Sequence, residues 1–229
     1  MKGLLVALGR DERFLSPTSL VLVSRKRLKQ DLLSLFLPCR MSAMKGKRSV
    51  EEFLPLVTTH GKVQEEIDRV LGSEHSNTGH RKRMPYTDAI IHEVQRFGNI
   101  VPLGVPRETT VDVNFKGYFI PKGTHIIPLL ESVLYDRTQF AKPEEFNPQH
   151  FLDSDGRFLK NDALMSFGAG RRMCIVKTLA TTELFVFFTS LLQKFILRLP
   201  PGVTHIDLTP AIGFTTPPLP FELCALPRS

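Results

Sequence analysis

The stretch Phe167-Gly-Ala-Gly170-Arg-Arg172-Met-Cys174 decides how this chain is read. It sets one cysteine at the end of a basic, glycine-containing loop. An apolar segment with helical character follows at once, from Thr178 to about Leu199. A cysteine is a nucleophile or metal ligand only as the thiolate, a form favoured by positive charge and by free backbone N–H groups at a helix start. A lone free cysteine is more often a small buried hydrophobe. The spacing of glycine and arginine around Cys174 argues against that bland reading.

Phe-x-x-Gly-x-Arg-x-Cys resembles the heme-ligand loop of the cytochrome P450 family, the heme-thiolate monooxygenases. The resemblance implies that Cys174 is the axial ligand of heme iron and that Phe167 packs beside the sulfur. It implies that Gly170 lets the backbone approach the porphyrin and that Arg172 pairs with a propionate.

Upstream, Tyr86 to Phe97 reads as a helix, because Ile90, Ile91, Val94 and Phe97 form an apolar stripe at helical spacing. Glu93 and Arg96 are three residues apart and share a face. Alone they would be a surface ion pair of little energetic weight. The resemblance makes them the family's Glu-x-x-Arg pair, bonded to a basic residue in the loop before the cysteine. That loop is similar to Lys142-Pro143-Glu-Glu-Phe146-Asn-Pro148-Gln-His150-Phe151, with His150 as third member. The resemblance thus implies that the trio is a fold-locking network and not a set of catalysts; buried charges of this kind are tolerated only when paired and hydrogen-bonded.

Between these motifs, residues 111–124 alternate apolar and polar side chains around Lys-Gly and Pro-Lys-Gly turns, which predicts short antiparallel strands. Residues 61–229 together resemble the C-terminal portion of a mammalian microsomal P450, closest to its family two. The implied fold class is α+β, mainly α with small antiparallel β-sheets, as a truncated C-terminal part of the P450 fold.

Before about Gly61 the resemblance fails. The family's central helix carries an Ala-Gly-x-x-Thr motif that handles oxygen and protons. The corresponding stretch here, Ser49 to His60, has Thr58 and Thr59 but no Ala-Gly pair, and Pro55 is expected to break a long helix. The ligand loop also departs from the pattern, which usually continues Cys-x-Gly-Glu and reaches Ala-Arg a little later. Here the residues are Cys174-Ile-Val176-Lys177-Thr-Leu-Ala180-Thr181. Val176 is expected to crowd the backbone beneath the porphyrin. Lys177 reverses a charge and Thr181 removes one.

Composition is that of an ordinary globular protein, 42% hydrophobic over 229 residues with net charge +7. Residues 1–60 hold 11 Lys/Arg against 5 Asp/Glu, whereas the remainder holds 19 against 18. The basic character therefore belongs to the segment without family resemblance. That segment reads as disordered or as two weak helices near 25–37 and 48–56. No zinc spacing, aromatic RNA-binding motif or repeat accompanies the run Arg25-Lys-Arg27-Leu-Lys29, so nucleic acid is not an expected partner. Cys39, Cys174 and Cys224 fit neither a disulfide framework nor a Cys-x-x-Cys metal site. No uninterrupted apolar stretch is long enough for a transmembrane helix.

Helix is further expected over 61–72 and as a turn over 132–140, with a polar loop over 74–83 and strand-like stretches in the tail. By family analogy, Val101, Leu103 and Val105, and Phe214 in the tail turn 212–216, line a substrate cavity, and Arg107 pairs with a propionate.

Three functions stay open on these residues. The first is a monooxygenase that hydroxylates apolar small molecules with dioxygen and electrons from an NADPH-dependent reductase, met by Arg171 and Lys177 at the cytosolic face of the endoplasmic reticulum membrane. The second, preferred for actual activity, is an inactive member of the same ancestry that keeps the proximal half of the pocket and lacks the oxygen-activating helix. The third is a regulatory or binding module that needs no heme and uses its basic N-terminal segment.

Overall fold

The computed structural model describes residues 20–23, 50–203, 209–211 and 213–228. The helix expected at 25–37, the basic run Arg25 to Lys29, Cys39 and Ile212 lie outside the described residues.

Two long helices and one shorter helix build the core. α1 spans Val50–Val70, α2 spans Pro85–Gly98 and α4 spans Lys177–Lys194. α3 is a short helix, Leu130–Leu134. Val63, Ile67 and Leu71 come from α1 and its end, Ile90, Ile91 and Phe97 from α2, and Phe185 and Leu192 from α4. All are buried in one cluster. Their four- and seven-residue spacings put each set on one helical face, and removing that apolar area from water is what holds the three helices together. A second cluster joins Ala89 on the opposite side of α2 to Val133, Phe140, Phe151 and Ala163. α2 is thus apolar on two sides and central to the molecule.

The sheets are small and antiparallel. β5 (His125–Pro128) pairs with β1 (Leu20–Val23) on one side and β2 (Arg107–Glu108) on the other. β3 (Val113–Phe115) and β4 (Tyr118–Ile120) form a hairpin across Lys116-Gly117, both at positive φ. β6 (Phe195–Arg198) pairs with β7 (Cys224–Pro227). The architecture is a part of the α+β kind, helical at its centre with sheets at its margins.

Four expectations about elements are corrected. Pro55 does not break the helix, which runs through it from Val50 to Val70. Proline removes only the bond to the carbonyl of residue 51, and propagation from the packed half carries the helix past that loss. The apolar run from Thr178 to Leu199 is helical only to Lys194, where Phe195–Arg198 turns to strand by pairing with the distant tail. The helix expected within 132–140 lies earlier, at Leu130–Leu134. The polar loop over 74–83 contains a 3₁₀ helix, Thr78–Arg83, capped by Asn77 and His80 in a reciprocal capping box.

Candidate functional site

The ligand loop is a closed turn. Gly168 and Gly170 sit at φ +77° and +66°, in the left-handed region that glycine adopts without strain. Gly170 opens a single 3₁₀ turn, Gly170–Arg172. The backbone N–H of Cys174 donates to the Phe167 carbonyl at 2.9 Å, and that of Met173 to Gly170 at 3.1 Å. These bonds set Cys174 just before α4 with its thiol free and half-buried. The loop lies beside β2, where the Arg107 guanidinium donates to the Arg172 carbonyl at 2.9 Å.

One cavity of about 920 Å³ adjoins this loop. Phe167, Arg172 and Cys174 line it from the loop, and Arg107 from β2. Ile90, Ile91 and Val94 line it from α2, Leu184 and Phe188 from α4, and Val101 and Val105 from the connector after α2. The cavity therefore combines an apolar body, two guanidinium groups, one thiol and one carboxylate, that of Glu131. Its size and mostly apolar wall are those of a small-molecule or cofactor site. Several bordering side chains stay in water, Ile175 at 98% relative exposure, Ile100 at 57% and Val105 at 52%.

Three expected site residues do not reach the cavity. Leu103 is half-buried and outside the wall, which its neighbours Val101, Pro102, Gly104 and Val105 line. Phe214 is 56% exposed; the tail residues that line the cavity are Pro210, Thr216 and Pro218. The Thr216 hydroxyl donates to the carbonyl of Asn99, which ties the tail to the end of α2. Gly170 is also outside the wall, and a Cβ there would meet nothing within 4 Å. Its glycine is demanded by the positive φ, not by close approach of another part of the chain. Val176 is likewise uncrowded, 50% exposed at φ −95°, so a β-branched residue fits there without strain.

Glu93, Arg96 and His150 meet behind the cavity. Arg96 is wholly buried and all five of its N–H donors are used. Nε and Nη2 donate to the two Glu93 carboxylate oxygens at 2.7 Å, a bidentate pair. Nη1 donates to the carbonyls of Leu134 and Pro143, and Nη2 to that of Glu145. Glu93 also accepts from the Asn147 backbone N–H at 2.7 Å. His150 Nδ1 lies 3.2 Å from Glu93 Oε2, and its Nε2 lies 2.6 Å from the Ala141 carbonyl. One helix thereby fixes the meander that precedes the ligand loop.

The sequence pattern missed a second carboxylate device. Met84 supplies no side-chain cap to α2. Glu66 of α1 takes that role from another helix: its oxygens accept from the backbone N–H groups of Tyr86 and Thr87 at 3.2 and 2.8 Å, and from the Thr87 hydroxyl at 2.7 Å. A buried acid inside the α1 stripe, at 5% exposure, was the one available signal.

Comparison with known proteins adds a family. The cytochrome P450 family pattern matches residues 58–225. The chain is 56% identical over 170 residues to cytochrome P450 2K6 of Danio rerio, which covers 73% of this chain and 34% of that protein. It is 51% identical over 172 residues to cytochrome P450 2W1 of Mus musculus, covering 74% of this chain and 35% of the other. Against cytochrome P450 2J2 of Homo sapiens the figures are 51% over 168 residues, 73% and 33%. The chain spans about a third of the length of the curated relatives it matches.

Proposed function

The chain belongs to the cytochrome P450 family, and from that membership we propose that its cavity is the ligand-bearing, proximal part of a heme-thiolate monooxygenase site. The observation that carries the reading is that Cys174, Arg107 and Arg172 open onto one apolar cavity. A porphyrin is an apolar plate with two carboxylates and a metal that takes a soft anionic ligand. An apolar wall, two guanidinium groups and a free thiol supply the matching chemistry. When bound, the heme supplies the electron-transfer and dioxygen chemistry of the family.

In this reading the chain's own residues bind, orient and exclude water. Cys174 supplies the thiolate ligand, held in place by its N–H bond to Phe167. Phe167 keeps water from the sulfur. Arg107 and Arg172 hold the two propionates, with Arg107 positioned by its bond to the Arg172 carbonyl. Gly170 permits the tight turn before the cysteine. Glu93, Arg96 and His150 fix the meander and so the height of the loop over the cavity. Val101 and Val105 offer the apolar contact for a small apolar substrate.

The whole reaction is hydroxylation of an apolar molecule with electrons from an NADPH-dependent reductase, at the cytosolic face of the endoplasmic reticulum membrane. Among the described residues no helix is long and apolar enough to cross a membrane. No Ala-Gly-x-x-Thr pattern precedes the cavity within these 229 residues. A polypeptide of these residues alone is therefore expected to hold heme without turning over, because distal groups decide oxygen activation.

The test is reconstitution of the 229-residue chain with hemin, then reduction under carbon monoxide. The expected result is the Soret position typical of thiolate-ligated iron, lost in Cys174→Ala. A spectrum that is the same with and without the Cys174 sulfur overturns the assignment.

A further inference from the structure

A second, smaller cavity of about 240 Å³ adjoins the ligand loop, with residues 167–169 in its wall. We propose that it is a binding site for a small inorganic oxyanion of the phosphate class.

The lining is rich in donors. Lys160 and Lys177 both face it. Lys160 is paired with Asp162, which lines the same cavity. Lys177 is half-buried and has no ion-pair partner among the described residues, so the cavity carries an uncompensated positive charge. Two polar groups in the wall shared with the large cavity are buried without a partner, the Gln95 side-chain Nε2 and the Ser166 Oγ. A buried donor with no acceptor is costly to leave unmet. An oxyanion meets both donors and the lysine charge at once, through charge-assisted bonds.

Of the three positions that depart from the family pattern after Cys174, two line this cavity, Lys177 and Thr181, and Val176 does not. Where the pattern has a glutamate, this chain has Lys177; where it has an arginine, this chain has Thr181. The Thr181 hydroxyl is satisfied by the Lys177 carbonyl at 3.0 Å, one turn back in α4. The exchange of acid for base and of a long cation for a short hydroxyl leaves both charge and room for an anion. An anion seated there touches the strand of loop that carries Cys174, so its binding and the access to that thiol are coupled.

The experiment uses the full 229-residue chain without heme, titrated with sodium phosphate against sodium chloride at constant ionic strength. Calorimetry reads binding, and residue-resolved mass spectrometry reads the rate of Cys174 alkylation. Saturable one-to-one phosphate binding and a severalfold change in Cys174 alkylation are expected. Lys177→Glu restores the pattern's own residue, so it should fold, and it should weaken binding by about tenfold or more. Ser166→Ala removes one hydroxyl without adding charge and should weaken it by roughly threefold or more. Lys122→Glu, an exposed charge reversal away from the cavity, should leave affinity unchanged. Absence of saturable binding, a Lys177→Glu affinity equal to that of the parent, or an equal loss in Lys122→Glu overturns the proposal. None of these outcomes bears on the heme assignment.

Discussion

At the residue scale the Arg96 guanidinium is held on every side. It is removed from water, and its five donors meet five acceptors on three segments of chain. Losing one partner of such a buried pair leaves an uncompensated charge or a set of unmet carbonyls, a loss of about 3–5 kcal/mol. Arg96→Ala should therefore lose most of the stability of a domain that has only ~5–15 kcal/mol to begin with. Arg96→Lys should be nearly as damaging, because an ammonium has three donors and no planar fork. Urea unfolding followed by far-UV circular dichroism measures both; a loss under about 1 kcal/mol for Arg96→Ala contradicts the geometry. Asp88 gives a second, pH-dependent prediction. Burial pushes its carboxyl up, but hydrogen bonds from His92 and Arg81 outweigh that and hold it below the usual carboxylate range. A depressed folded value stabilises the fold above the unfolded value, near pH ~3.9, and the stabilisation fades as pH falls through the folded value. Asp88→Asn should thus be less stable than the parent at pH 7, with the gap closing below pH ~4. A gap that stays constant from pH 7 to pH 3 would refute this. The Glu-x-x-Arg spacing was legible in the sequence because both residues fall on one helix. Which loop carbonyls they meet was not, because those acceptors belong to the backbone of Leu134, Pro143 and Glu145 and leave no mark on side-chain pattern.

At the scale of elements, the helices are tied to one another through their ends. Glu66 in α1 caps the start of α2. Gln64 in α1 donates to the carbonyls of Leu192 and Phe195 where α4 stops, and Arg228 near the chain end reaches the Leu192 carbonyl and Asp68. Backbone groups at helix ends have no partner within their own helix, so these contacts satisfy them across elements. Glu66→Ala removes three bonds to a buried carboxylate and should cost about 2–3 kcal/mol. Hydrogen exchange should then rise first in the opening turn of α2, at Tyr86 and Thr87. A uniform rise over all elements would mean that Glu66 is not a local cap. Periodicity located α2 and the start of α4 well, since a buried stripe repeats every three to four residues. It failed at the α4–β6 boundary, because Phe195-Ile-Leu-Arg198 is as apolar as the helix before it. What ends the helix is a partner strand at Cys224–Pro227, an interaction invisible to any local window. Pro55 failed in the opposite sense: a strong local breaker was overruled by the tertiary packing of the turns that follow it.

At the scale of the whole molecule, one group of exposed apolar residues lies beside the large cavity and along α4. Ile175, Phe187, Leu179 and Leu184 are 98%, 72%, 57% and 45% exposed. Exposed large side chains are common singly, but a grouping of this kind marks a surface with an apolar counterpart. If the cavity takes a porphyrin, most of its affinity for the 229-residue chain should come from this apolar wall, and Cys174 should determine mainly the iron's electronic state. The two contributions separate in one titration. An environment-sensitive dye such as anilinonaphthalene sulfonate should bind the chain alone, and hemin should displace it and raise the melting temperature. Cys174→Ala should lose the thiolate Soret signature yet displace the dye with affinity within about tenfold of the parent, a difference of ~1.4 kcal/mol. Replacing Val101 and Leu184 together by serine should do the reverse: the signature stays at saturating hemin, and the affinity falls by roughly a hundredfold, from two side chains at about 1.5 kcal/mol each. If Cys174→Ala abolished displacement as well as the signature, the sulfur–iron bond and not the apolar wall would hold the group, and the exposed face of α4 would need a protein partner to account for it.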